Sequence, residues 1–145
     1  MLAVPITLLG VFEFSRALQA AGRRVDVIPQ LVVAGLIMLS GFFAGHWTHW
    51  VVTFAAVAFV IVWRLLAQMN ARDGRRYGEV LSDVLVAGFI QLYVPFLASL
   101  TLVLLRQDQG EWWLLAMLIV VVCADTGAYA SGLMFGKHPM APRIS

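Results

Sequence analysis

The chain alternates long apolar stretches with short polar ones. An opening run, MLAVPITLLGVFEF, is followed by four more at roughly Ile28 to Gly45, Trp50 to Leu66, Val80 to Leu105 and Trp112 to Gly136. A helix needs about 20 apolar residues to cross a hydrocarbon core of ~30 Å, and a backbone in lipid must satisfy its own hydrogen bonds, so each run predicts a helix. The expected fold class is all-α, a polytopic transmembrane helix bundle of about five spans. As a helix, the 14-residue opening run reaches only ~21 Å, so the first span is expected to be truncated. It has no basic leader and no small-residue cleavage site, and it reads as a span rather than a removable signal peptide.

Polar residues at the run boundaries refine this picture. Trp47, Trp50, Trp112 and Trp113 stand at predicted span ends, where an indole keeps its ring in the interface and its N–H wet. His46 and His49 have ligand-like spacing, but two histidines make half a metal site, and they read as interfacial companions of these tryptophans. Lys and Arg number 3, 4 and 2 in the first, third and last connections (Arg16, Arg23, Arg24; Arg64, Arg72, Arg75, Arg76; Lys137, Arg143), against 0 and 1 (Arg106) in the other two. The positive-inside rule puts the first set in the cytoplasm: a multi-pass protein of the cell membrane with its C-terminal tail cytoplasmic. The arginines around Arg72 to Arg76 fit either this topological role or contact with lipid phosphates.

Composition agrees with the pattern: 61% hydrophobic, 12% charged, mean hydropathy +0.87. The net charge of +2 carries no nucleic-acid footprint, and the lone Cys123 lies in an apolar run where it reads as a small hydrophobe. No repeat, Walker A loop, GxGxxG turn, HExxH helix or GxSxG elbow is present, so soluble ATPase, dehydrogenase, protease and hydrolase classes find no support.

Asp125 is the feature that apolar patterning does not explain. It lies about midway between Trp112 and Lys137, where charge is costly, and intramembrane ionisable residues are functional candidates by default. At ~100° per residue Asp125, Tyr129, Gly132 and Gly136 share one face, directed toward a bundle or polar cavity. The alternative is a structural carboxylate bonded to a neighbouring helix. Gly132 with Gly136, and Gly41 with Gly45, have the spacing of close helix packing; bare backbone near a phosphate is the other reading of the first pair. Gln91 and Tyr93 either line a cavity or bridge to another helix, and Pro95 predicts a kink. After Gly136, Lys137 and His138 suit a helix C-terminus, and Pro139 and Pro142 force an extended loop carrying Arg143 and Ser145.

The stretch DTGAYASGLMFGKHPMAPRIS resembles the middle of the phosphatidate cytidylyltransferase family, through Asp125, Ala128, Tyr129, Gly136, Lys137, Pro142, Arg143, Ile144 and Ser145. FEFSRALQAAG resembles the family's Glu-Phe and Arg stretch. The resemblance implies transfer of CMP from CTP to phosphatidate with release of pyrophosphate, in phospholipid biosynthesis. It implies Mg²⁺ as cofactor, with CTP, phosphatidate and membrane lipids as partners and no nucleic acid; a homodimer is compatible with it. It assigns Asp125 and Lys137 as catalytic, and Tyr129, Gly136, Arg143 and Ser145 as substrate-binding. No metal ligand is assigned, because the later acidic signature that the resemblance implies for metal binding does not occur in this chain, and neither does the family's dilysine. Residues 1–145 are therefore expected to form a single transmembrane domain, an N-terminal fragment inactive by itself. The competing class is a noncatalytic membrane module, either a degenerate relative or a transporter-like bundle.

Overall fold

A computed structural model describes residues 2–70 and 76–136. All regular structure among them is helical: α1 (Ala3–Ala20), α2 (Val27–Phe43), α3 (His46–Asn70), α4 (Tyr77–Leu105) and α5 (Gly110–Phe135). The chain divides into two compact units, Met1–Arg106 with α1 to α4 and Gln107–Ser145 with α5. Arg72, Arg75, Lys137, His138, Pro139, Pro142, Arg143 and Ser145 lie outside the described residues.

Helices α3, α4 and α5, of 25, 29 and 26 residues, are long and apolar enough to cross a membrane. At 1.5 Å per residue they reach about 37 to 44 Å, beyond the ~30 Å required. The 17 residues of α2 reach about 25 Å. In place of the short opening run, α1 continues through the polar residues Glu13, Arg16 and Gln19 to Ala20. It ends in a Schellman turn: Arg23 N–H donates to the Leu18 carbonyl (2.9 Å), Gly22 N–H donates to that of Gln19 (3.0 Å), and Gly22 adopts the required positive φ of 81°.

In the first unit, α2 touches α1, α3 and α4. Gln30, Val33, Ala34, Ile37, Met38, Ser40 and Gly41 are accordingly buried on it. Two apolar clusters flank it, Val11, Val25, Ala34 and Ile90 on one side and Val33, Ile37, Ala56 and Val60 on the other. Gly41 permits the closest approach, since a Cβ there would lie 3.1 Å from the Ser99 carbonyl oxygen of α4; at Gly45 a Cβ would meet nothing within 4 Å. Close packing thus explains Gly41 but not its partner.

The expected kink at Pro95 takes the form of a π-helical stretch, Leu92–Phe96. Proline has no N–H to donate and its ring crowds the preceding turn, and a widened turn relieves both. The stretch divides α4 into Tyr77–Gln91 and Leu97–Leu105.

Candidate functional site

Helix α5 carries the residues singled out by the sequence. Asp125 is followed on the same face by Tyr129 and Gly132, and the helix ends at Phe135 with Gly136 as its cap. Gly136 N–H donates to the Gly132 carbonyl at 2.9 Å, and a Cβ at Gly136 would collide with that carbonyl oxygen. Glycine at 136 therefore permits the tight backbone that caps α5. About ten residues, ~15 Å of helix, separate Asp125 from Phe135. Of the expected site residues, the structure places Asp125 and Tyr129 on one face of α5 and Gly136 at its C-cap; Lys137, Arg143 and Ser145 lie outside the described residues.

A carboxylate and a phenol on one face can accept and donate hydrogen bonds, and a carboxylate can also hold a cation. Mg²⁺ takes near-octahedral oxygen ligands, commonly one or two carboxylates together with substrate phosphates. Among the described residues no group of three or more His, Cys, Asp or Glu is placed to hold a metal. Asp125 supplies one carboxylate, which does not make a magnesium site by itself.

Among the described residues of the first unit three polar clusters stand out, two of which correct expectations from the sequence. Arg64, counted as a connection arginine, lies within α3 and is only 5% exposed. Its guanidinium donates to Asp26 (3.2 Å) and to the Gln68 side chain (3.0 Å), and faces Asp83 of α4 at 4.0 Å. Asp83 also accepts from the Arg24 backbone N–H at 3.3 Å. The loop before α2, the end of α3 and the start of α4 are thereby tied together. The clue was an arginine between Trp63 and Leu65, inside an apolar run.

His49 is also internal, packed among helices instead of exposed beside the tryptophans. It is 2% exposed, with Nδ1 2.8 Å from Ser40 Oγ and Nε2 3.1 Å from Ser99 Oγ, joining α2, α3 and α4. The expected HWTH connection is instead the first turn of α3, with His49 N–H bonded to the Gly45 carbonyl at 3.0 Å. His46 does stay with the tryptophans: Trp50 Nε1 donates to its Nε2 at 3.2 Å. The third cluster matches the bridging alternative for Gln91. Its Nε2 donates to the Gln30 carbonyl oxygen at 2.9 Å and to Gln30 Oε1, while Gln30 Nε2 donates to the Ala87 carbonyl at 3.2 Å. Tyr93 is exposed; its ring stacks on Phe89, centroids 5.1 Å apart, and meets Phe14 of α1 at 6.2 Å, so it reaches another helix through its ring.

The model of the cytidylyltransferase family matches residues 1–145. The chain belongs to the cytidylyltransferase family. Among its relatives, a phosphatidate cytidylyltransferase of Mycobacterium bovis is 33% identical over 154 residues, covering 96% of this chain and 47% of the relative. That of Mycobacterium tuberculosis is 33% identical, covering 96% and 44%, and that of Mycobacterium leprae is 30% identical, covering 92% and 45%. The chain thus spans about half the length of the curated relatives it matches. No solved structure matches.

Proposed function

We propose that the protein to which this chain contributes is a phosphatidate cytidylyltransferase. Alignment of 96% of the chain with a relative of that name carries the reading, and the Asp125–Tyr129 face of a membrane-length helix supports it. In the reaction, a phosphate oxygen of phosphatidate attacks the α-phosphorus of CTP. A new P–O bond forms, the bond from the α-phosphorus to the oxygen bridging the β-phosphorus breaks, and pyrophosphate leaves with that electron pair to give CDP-diacylglycerol. Two polyanions must approach each other, so catalysis depends on placed positive charge and hydrogen-bond donors rather than a covalent nucleophile.

Asp125 orients a cationic partner near the lipid phosphate, and the Tyr129 hydroxyl donates to a phosphate oxygen. Lys137 and Arg143 neutralise nucleotide charge, the bare backbone of Gly136 lets the phosphates approach, and Ser145 belongs to the nucleotide loop. Mg²⁺ supplies Lewis acidity when bound, and its ligand set requires residues additional to Asp125. The excess of arginines in the first and third connections supports a cytoplasmic tail, on the side where CTP is available.

CTP-dependent formation of CDP-diacylglycerol by the purified protein tests this reading. Asp125→Asn and Lys137→Ala should each reduce turnover by about 10²–10³-fold, and Tyr129→Phe by roughly tenfold, the worth of one hydrogen bond. Undiminished turnover in the first two variants would remove the proposed roles. Binding of CTP with no product, in a protein carrying the family's complete length, would favour the noncatalytic module.

A further inference from the structure

His49 is a titratable side chain that the transfer chemistry does not use. It is buried in the first turn of α3, with Ser40 of α2 on Nδ1 and Ser99 of α4 on Nε2. The two serines also donate to carbonyls of their own helices, Ser40 to Ile37 (2.8 Å) and Ser99 to Phe96 (2.6 Å). A neutral imidazole has one donor nitrogen and one acceptor nitrogen, and a hydroxyl has one proton. The neutral ring therefore donates to one serine and accepts from the other, whose proton turns from its carbonyl to the ring. Both nitrogens and both hydroxyls are then partnered, with no charge in the interior.

Protonation makes both nitrogens donors, which the two serines can accept, but it adds a charge that the surroundings do not compensate. On α2 the ring meets Ser40 and the bare backbone of Gly41, where a Cβ would stand 3.6 Å from its Cε1; on α4 it meets Ser99 and lies nearly parallel to Phe96 (14°, centroids 6.3 Å apart). On its own helix, Thr53 donates to the His49 carbonyl, and His46, itself cationic when protonated, is the titratable group acting on the ring. Arg106, just after α4, donates to the Ala44 carbonyl where α2 ends. All these groups are neutral or positive. One additional donated bond is worth much less than the cost of a buried charge without an anion. Ser40 also lines an open groove of about 470 Å³ beside Leu36 and Phe43 of α2 and Val52 of α3, so the contact at Nδ1 borders the surface.

We propose that His49 is an acid-released latch: as the neutral imidazole it holds α2 to α4 through Ser40 and Ser99, and on protonation it leaves this site and the two helix ends separate. The neutral form is the stabilising one, so the latch is closed at high pH and opens as pH falls. Release requires no turnover, so it is independent of the transferase reading.

Phe43 of α2 and Leu105 of α4 line one small apolar cavity, and both reach the surface. Spin labels placed there through Phe43→Cys and Leu105→Cys, on the whole chain carrying Cys123→Ser, report the separation of the two helix ends. Dipolar broadening between the labels should be lost, reversibly, as pH falls from about 8 to 4.5, across the range in which histidine takes up its proton. His49→Gln keeps a donor and an acceptor but takes no charge, so its broadening should persist at every pH; His46→Gln should behave as the parent does. Broadening that survives acid in the parent or in His46→Gln, or that is lost equally in His49→Gln, would overturn the proposal. If His49→Gln does not fold, a chain with His46→Gln and His138→Gln retains His49 as its one histidine, and its ring-proton NMR signal should shift over the same pH interval in which broadening is lost. A ring that titrates without loss of broadening, or a loss without ring titration, would equally overturn it.

Discussion

Arg64 illustrates how a single side chain can determine whether the surrounding polar groups are tolerated. Removing it leaves Asp83, 1% exposed, and the partly exposed Asp26 without their shared cation. Breaking a buried pair costs about 3–5 kcal/mol because the remaining charge stays desolvated. Arg64→Ala should therefore lower stability by that order in equilibrium unfolding in detergent, and Asp83→Asn in the same background should recover part of the loss. The Gln30–Gln91 pair is gentler, since both side chains are neutral and each also bonds backbone. A double-mutant cycle with Gln30→Leu and Gln91→Leu should give a coupling of ~0.6–1.7 kcal/mol, the range for hydrogen bonds between membrane helices; zero coupling would mean that the two amides act separately.

At the level of elements, the register of α4 depends on its π stretch. One residue added to a turn rotates the succeeding turns by roughly 100°, and Ser99 lies just beyond the stretch, where it meets His49 at 3.1 Å. Helix α2 approaches the same segment at Gly41, where a Cβ would press on the Ser99 backbone. Gly41→Ala should cost about 1–3 kcal/mol by overpacking, while Gly45→Ala should stay within about 0.5 kcal/mol of the parent. Denaturant titration followed by circular dichroism separates the two, and equal losses would show that the close approach does not decide stability. Helix α5 is a different kind of element: its 26 residues reach about 39 Å, so length alone suits it to span a bilayer with Asp125 well inside.

For the whole molecule, moving Arg16 into α1 and Arg64 into α3 lowers the charge counts in the first and third connections to two and three, leaving 2, 3 and 2 against 0 and 1. The proposed orientation is unchanged. Reporter fusions after residues 74 and 145 should both report cytoplasm, and one after residue 108 the opposite side; a reversed pattern would refute it. Apolar periodicity, run length and the Asp125 motif were sufficient to anticipate the helices and the family, because lipid forces each apolar run to close its own backbone bonds and because the motif is local to one helix face. The tertiary structure decided which polar residues became internal. Arg64, His49 and Gln91 each stand in a single helix, but their partners at Asp26, Ser40, Ser99 and Gln30 come from other segments of the chain. Burial of a polar group is tolerated only when those segments arrive together with matching donors and acceptors, a condition set by helix packing rather than by any run of residues.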